Sequence, residues 1–240
     1  MLYLLFCMDS KKVHIKSFGC QMNKLDTALV CTALVQAGFS LTESVKDADV
    51  VLINTCSVRE HAEQRVISHI GHLKHIKESR PEMIVGIIGC MAQRLGDKLL
   101  EHDAVNIVCG PAQIPQIAAL ITEARKQKRN ELAVTEHIRK AVQENENQAL
   151  EDFESAYSNE DERNPAQAFV RIMRGCNNFC TYCIVPYVRG PEVSRPPATI
   201  LEQVRKLADN GVKQVTLLGQ TVNSYHYTQD GKVWSLADLL

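Results

Sequence analysis

The sequence predicts an α/β chain: an N-terminal unit built on a parallel sheet, followed by the opening strands and helices of a second parallel unit. Three observations carry this. Short apolar runs alternate with helical patterns from Val13 to Lys126, and such alternation implies a parallel sheet with helices on its faces. Cys20, Cys56 and Cys90 each stand where a predicted strand gives way to a helix, so one edge of that sheet gathers three thiols. After a charged stretch the alternation resumes at Phe169.

Taken in order, Val13-His14-Ile15-Lys16-Ser17-Phe18 alternates and reads as a strand ending at Gly19-Cys20. A helix is expected from Lys24 to Ala37, with Leu25, Leu29, Ala33 and Leu34 on one face and Gly38 at its stop. Asp49 to Thr55 is a buried-strand pattern. Ser57-Val58-Arg59-Glu60 has the form of a capping box that opens a helix to about Lys77, with Pro81 as the break. Met83 to Ile88 is a third apolar run, followed by a helix near 93–101, a strand at Asn106 to Val108 and a helix from Ile114 to Lys126. These elements make a first domain, 11–126.

Residues 127–165 are charged, polar and free of glycine, and read as a linker with some helix near 135–148 and no assigned chemistry. The second domain, 166–240, starts with an alternating strand at Phe169 to Met173. Thr199-Ile200-Leu201-Glu202 reads as a capping box opening a helix that Gly211 closes, and Lys213 to Leu218 as the next strand. This is a strand–helix–strand unit with loops at the strand carboxyl ends, as in a barrel. Trp234 to Leu240 reads as a helix with no stop signal.

Of the 240 residues 45% are hydrophobic, enough for a sizeable core, while aromatic content of 5% gives no hint of a base-stacking sheet. A formal charge of −1 excludes a molecule that binds nucleic acid by net charge. The charge is uneven. Acidic side chains dominate 127–168, and basic ones dominate from Phe169 onward, where Arg171, Arg174, Arg189 and Arg195 fall close together. Those arginines read either as ordinary surface or as contacts to a carboxylate or phosphate. The apolar start, Met1 to Met8, lacks a basic region and a cleavage site, so no signal peptide is read and Met8 is an alternative start. No apolar run reaches the ~18 residues of a membrane span.

Nine cysteines, an odd number with one tight triplet, argue against a disulfide framework and suit a reducing cytoplasm. The triplet is Cys176, Cys180 and Cys183, spaced C-x3-C-x2-C. Three thiolates hold three irons of a cubane and leave the fourth without a protein ligand, a position where a substrate binds. Tetrahedral zinc is the plainer reading, but it wants a fourth ligand, and between Phe169 and Tyr225 there is no His and no further Cys. For Cys20, Cys56 and Cys90 the plain reading is buried small hydrophobes, and the functional one a second anionic cluster at helix N-termini. Cys7 and Cys31 read as inert. Cys109 also follows a strand, so geometry alone leaves it open as a ligand. His69, His72 and His75 recur along one helix among charged neighbours and read as a solvated face.

The string from Gly175 to Gly190, Gly-Cys-Asn-Asn-Phe-Cys-Thr-Tyr-Cys-Ile-Val-Pro-Tyr-Val-Arg-Gly, resembles the cluster loop of the methylthiotransferase branch of radical S-adenosylmethionine (SAM) enzymes. Phe18-Gly19-Cys20-Gln21-Met22-Asn23, Asn54-Thr55-Cys56-Ser57-Val58-Arg59-Glu60 and Gly89-Cys90-Met91-Ala92-Gln93 resemble the three cysteine motifs of that family's N-terminal domain. The resemblance covers nearly all of 11–240 and the front part of a family member, with further barrel strands and an RNA-binding domain expected beyond it. It implies a methylthiotransferase domain followed by the first part of a radical SAM partial barrel. It implies two 4Fe–4S clusters: one on Cys176, Cys180 and Cys183 with SAM on the open iron, and an auxiliary one on Cys20, Cys56 and Cys90 that serves sulfur insertion. The family pattern requires no cysteine at position 109. Tyr182, Gln220 and Asn223 match positions beside the SAM pocket.

Gly19-Cys20-Gln21-Met22-Asn23 and Gly219-Gln220-Thr221-Val222-Asn223 resemble the branch that acts on isopentenylated adenosine in tRNA. The implied reaction places a methylthio group on carbon 2 of that base beside the anticodon, with one SAM giving the methyl group and another the 5′-deoxyadenosyl radical that removes the ring hydrogen. The implied partners are a tRNA anticodon loop, a sulfur donor and an electron donor, for a cytoplasmic monomer. The rival readings are a methylthiotransferase for another tRNA adenosine or a ribosomal protein, and an inactive truncated fragment that only binds clusters.

Overall fold

The computed structural model of the chain describes residues 10–57, 60–135, 144–157 and 166–240. The first unit runs β1 (Lys12–Ser17), α1 (Gln21–Gln36), β2 (Ser40–Leu41), β3 (Val50–Thr55), α2 (Glu60–Ser79), β4 (Ile84–Gly89), α3 (Cys90–Leu95), β5 (Ile107–Cys109), α4 (Ile117–Gln127) and β6 (Glu131–Ala133). Its six strands lie in the order β2-β1-β3-β4-β5-β6, and every ladder is parallel. A parallel sheet must be covered on both faces, which is why β3 and β4 read as unbroken apolar runs. On β3, Val51 and Ile53 pack with Val66, Ile70 and Leu73 of α2. The alternate residues, Val50 and Leu52, pack with Val30 and Leu34 of α1 and with Ile117 and Ile121 of α4.

Several expectations need adjustment. The helix expected near 93–101 is α3 with a 3₁₀ turn, Gly96–Leu99, after it. β2 and β6 are too short to show periodicity. β6 lies inside the stretch read as a linker, yet its pairing with β5 carries the sheet on to Ala133. The helix expected near 135–148 is α5 (Glu144–Ser155), with 136–143 outside the described residues. The capping box at Ser57 to Glu60 also falls partly outside them.

The second unit comprises β7 (Gln167–Arg171), β8 (Met173–Arg174), α6 (Val185–Val188), β9 (Val193–Ser194), α7 (Pro197–Asp209), β10 (Gln214–Leu218), β11 (His226–Gln229), β12 (Lys232–Ser235) and α8 (Leu236–Leu239). β7 and β10 pair in parallel, with α7 as the crossover. Thr199 does not cap α7. Pro197 occupies the start, where its fixed φ and missing N–H suit a helix entry. The Thr199 hydroxyl donates instead to Glu151 Oε1 at 2.8 Å and to the Pro196 carbonyl at 2.9 Å. Trp234 is in β12 rather than in a helix: β11 and β12 form an antiparallel hairpin around Asp230-Gly231, and α8 starts only at Leu236. Both turn residues have positive φ, the conformation a two-residue hairpin turn requires. Among the described residues no helix is long and apolar enough to cross a membrane.

α1 is buried from two sides. Val30 and Leu34 face the large sheet, while Met22, Leu25 and Leu29 join a second core with Ala168, Val170, Ile172, Ile200 and Leu207. Beside this apolar joint lies a lattice of charge. Asp26 of α1 accepts from Arg189 Nη2 at 2.7 Å and also pairs with Arg171. Arg171 and Arg174 each place a nitrogen 3.0 Å from Glu154 Oε1. Arg195 Nε donates to both Glu151 oxygens at 2.9 Å. The four arginines thus meet carboxylates inside the protein, and α5, from the stretch given no chemistry, supplies two of them.

Burial alone would push the Asp26 and Glu154 carboxyls up, but Arg189 and Arg171 hold Asp26 below the usual range, and Arg171, Arg174 and Arg195 do the same for Glu154. Depressed carboxyl pKa values contribute stability that is present above the unfolded value of ~4 and is lost as pH falls through the folded one. Replacing Glu154, 1% exposed, by Ala leaves three guanidinium groups short of a partner. Denaturant titration of Glu154→Ala is expected to show a loss of about 3–5 kcal/mol at neutral pH, shrinking in acid. A loss under about 1 kcal/mol, the range of an exposed pair, would contradict this account.

Candidate metal centres

Cys20, Cys56 and Cys90 sit at the carboxyl ends of three adjacent strands. Cys20 is the residue before α1, Cys56 follows β3 directly, and Cys90 is the first residue of α3 after β4. Cys56 and Cys90 are buried and Cys20 is exposed. The chain reaches Cys90 through Gly89, whose φ of +92° suits glycine. A Cβ there would lie 2.6 Å from Asn54 Oδ1 and from the Thr55 carbonyl.

A polar knot fixes the register of these ends. Asn23 Nδ2 donates to Asn54 Oδ1 at 3.2 Å and to the Thr55 carbonyl at 2.7 Å. Asn54 Nδ2 donates back to the Asn23 carbonyl at 2.9 Å, and the Thr55 hydroxyl to the Ile88 carbonyl at 2.6 Å. Asn23 and Asn54 stand inside the quoted cysteine motifs, and their own role was not read from them. Burial of both residues next to a loop is what makes such amides structural.

The Cys20 thiol is lowered to about 5, chiefly by the hydrogen bond with Cys56 and against the cost of burial. The Asn23 and Met22 amides at the start of α1 and the Arg189 guanidinium add to the shift. Burial pushes the Cys90 thiol up, with Arg189 acting in the opposite direction. Of these two thiols, Cys20 is thus set to carry negative charge and Cys90 is not.

The second triad lies on the loop between β8 and α6. Cys176 is buried, Cys183 half-buried and Cys180 exposed. Gly175 enters the loop with a φ of +67°, and a Cβ would fall 1.9 Å from the Pro191 carbonyl oxygen, so only glycine fits. The Cys176 amide donates to the Gly190 carbonyl at 3.2 Å and the Glu192 amide to Asn177 Oδ1 at 3.1 Å, closing the loop on itself. Thr221, just after β10, reaches the loop: its hydroxyl is 3.8 Å from Cys176 Sγ and accepts from Asn178 Nδ2 at 3.1 Å. Thr221 lies between Gln220 and Asn223, the two residues singled out from the sequence. Gln220 is half-buried and Asn223 exposed. Tyr182 is 93% exposed.

Each donor set is three soft thiols with no hard oxygen donor among them, which suits an iron–sulfur group. Among the described residues no three His, Cys, Asp or Glu side chains close up tightly enough to hold a single metal ion. Cys109, on β5, is fully buried in the core under α4, and burial pushes its thiol far up, so it behaves as a small hydrophobe. His72 and His75 are exposed, as expected, whereas His69 turns inward and packs edge-on against Phe18 with ring centroids 6.0 Å apart. A narrow cleft of about 40 Å³ opens at the joint beside Met22, Leu150, Arg174 and Arg189. No cysteine lines it, so it is a packing gap apart from the triads.

Residues 12–110 match the model described as Uncharacterized protein family UPF0004, and residues 170–232 that of the Radical SAM superfamily. Through these two matched regions the chain resembles radical SAM methylthiotransferases. It is 40% identical over 226 residues to the tRNA-2-methylthio-N(6)-dimethylallyladenosine synthase of Bacteroides fragilis, covering 93% of this chain and 46% of that protein. It is 41% identical over 227 residues to the synthase of the same name from Citrifermentans bemidjiense, covering 93% and 48%. For that of Bacillus subtilis the identity is 38% over 235 residues, covering 97% and 44%. The chain spans about half the length of these curated relatives.

Thiol chemistry of the metal-free protein tests the geometry. With its thiol lowered to about 5, Cys20 is already thiolate at neutral pH, so its alkylation by iodoacetamide is expected to gain little between pH 7 and 9. An ordinary thiol near ~8.5 gains steeply over that range. Cys109 is expected to label only on unfolding. Peptide mass spectrometry reads both, and a Cys20 profile that rises like an ordinary thiol would refute the assigned environment.

Proposed function

We propose that this chain carries the two cluster sites of a radical SAM tRNA methylthiotransferase whose target is carbon 2 of N6-isopentenyladenosine beside the anticodon. The carrying observation is the placement of two cysteine triads on either side of one buried joint, in a chain whose relatives bear the name of that synthase.

On this reading Cys176, Cys180 and Cys183 hold one 4Fe–4S cluster and Cys20, Cys56 and Cys90 another. The first would supply radical chemistry when SAM is bound, and the second would supply sulfur. The protein's own residues do the positioning. Tyr182 presents an uncovered ring on the loop, suited to stacking on the SAM adenine. Gln220 and Asn223, at the carboxyl end of β10, flank the same loop as polar partners for SAM. Thr221 ties that end to Cys176. The starts of α1 and α3 face the auxiliary thiolates with amide dipoles. An anticodon-loop base is single-stranded and is splayed out for recognition. Sulfur and electrons come from separate donors, and the protein acts as a monomer in the cytoplasm. The domains of this reading are 11–126 with β6 added to its sheet, the charged stretch with α5, and 166–240.

Anaerobic reconstitution followed by iron and sulfide analysis tests both sites. About 8 irons are expected in the unaltered chain and about 4 after either triad is changed to Ala. Incubation with SAM and tRNA is expected to give methylthiolated base only when the isopentenyl group is present. Retention of all iron after loss of Cys20, Cys56 and Cys90 removes the auxiliary site, and equal product from unmodified tRNA removes the substrate assignment.

A further inference from the structure

Cys176 is the shielded member of its triad: 7% of its surface is exposed, while Cys180 is exposed and Cys183 half-buried. Water reaches the other two sulfurs far more readily than this one, so a hydrogen bond to the Cys176 sulfur has to come from the protein. The side chain beside it is Thr221, whose hydroxyl lies 3.8 Å from Sγ.

The fold delivers that hydroxyl. β10 pairs with β7 as far as Leu218, and the Ile172 amide extends the ladder by donating to the Leu218 carbonyl at 2.9 Å. The chain then passes close over Met173. A Cβ on Gly219 would lie 2.5 Å from Met173 Cγ, so a glycine permits the approach. The Thr221 carbonyl accepts from the Ser224 amide at 2.9 Å and from the Ser224 hydroxyl at 2.8 Å, which fixes the residue in its turn.

Proton accounting gives the bond its direction. Asn178 Nδ2, an amide nitrogen that only donates, gives a hydrogen bond to Thr221 Oγ1 at 3.1 Å. The single proton of the hydroxyl is left for another acceptor, and Cys176 Sγ is the one beside it. With a thiol either atom could be the donor. A thiolate that ligates metal has no proton, so the bond then runs one way, from Thr221 to sulfur.

We infer that Thr221, oriented by Asn178, donates a hydrogen bond to the Cys176 sulfur and raises the reduction potential of the group held by Cys176, Cys180 and Cys183. A donor to ligating sulfur withdraws charge from it and favours the more electron-rich, reduced state. A donor that itself accepts a hydrogen bond is polarised and is the stronger for it. The inference rests on the proposed reading of this triad as a 4Fe–4S site. Thr221 acts through Cys176, so it is a positioning residue and not a catalytic one.

The test uses the full chain with Cys20, Cys56 and Cys90 changed to Ala, so that only this triad is loaded. Iron is measured first, and the potential is then followed by redox titration with electron paramagnetic resonance, without SAM. If this background holds no iron, the cluster reading fails and the inference falls with it. If it holds about 4 irons, Thr221→Val, which keeps the shape and removes the donor, is tested next. It is expected to lower the reduction equilibrium constant about threefold, or about 30 mV at about 59 mV per tenfold. Thr221→Ser keeps the hydroxyl and is expected to stay near the unaltered value. Asn178→Ala loses the orienting bond and is expected to shift the same way by less. A role confined to packing gives the reverse order, with Thr221→Ser displaced by its lost methyl group and Thr221→Val unchanged, and that result overturns the inference. Should Thr221→Val take up no iron, an unchanged potential in Asn178→Ala overturns it alone.

Discussion

The arrangement of this chain depends on one buried contact, Asp26 between Arg171 and Arg189. Asp26 belongs to α1, the helix that starts at Cys20. Arg171 ends β7, a few residues before Cys176, and Arg189 follows α6, a few residues after Cys183. A single carboxylate therefore joins the root of the first triad to both ends of the loop that carries the second. Such an interaction gives little net stability compared with well-packed apolar groups, but removing one partner is expensive and its geometry is directional. The apolar faces of α1 hold the two units together, and the charges specify how they sit.

This explains why α1 has no clear amphipathic stripe. A helix at a protein surface shows one apolar face, and this one has two, toward the large sheet and toward the second core, with Asp26 and Asn23 buried as well. The polar residues are tolerated because each is fully engaged. Asn23 holds the ends of β1 and β3 in register under Cys20 and Cys56, and Asp26, a little further along α1, reaches the second unit. One helix thus sets the spacing within one triad and the link to the other.

The parts of the fold visible in the sequence were those with local causes. The apolar runs of β3 and β4 declared a sheet covered on both faces, and each cysteine lay beside the glycine or strand end that positions it. Where the six cysteines fall, three at strand ends and three on one loop, was legible because the strand–helix boundaries and the C-x3-C-x2-C spacing need only neighbours. What escaped had causes far away in the chain. Arg171 and Asp26 meet across 145 residues, and no pattern near either one announces it. Glu151 and Glu154 stood in a run of charge that has the composition of a solvated linker, and only folding reveals that α5 turns those two inward. The hairpin around Asp230-Gly231 did carry a local signal, an Asp-Gly pair between alternating residues, which the reading of Trp234 to Leu240 as a helix did not use. Thr221 is a different case. A hydroxyl that touches Cys176 looks like any loop threonine until the loops are brought together.

On the proposed function, two reactive groups borne by separate units must address one base. Displacements of about 1 Å at a reacting centre cost on the order of 10²-fold in rate, so the two units cannot sit loosely. Apolar packing alone would permit small slides of α1 against the second core, since methyl and methylene contacts are non-directional. The guanidinium–carboxylate lattice resists them, because sliding stretches and misaligns directional bonds between groups held away from water.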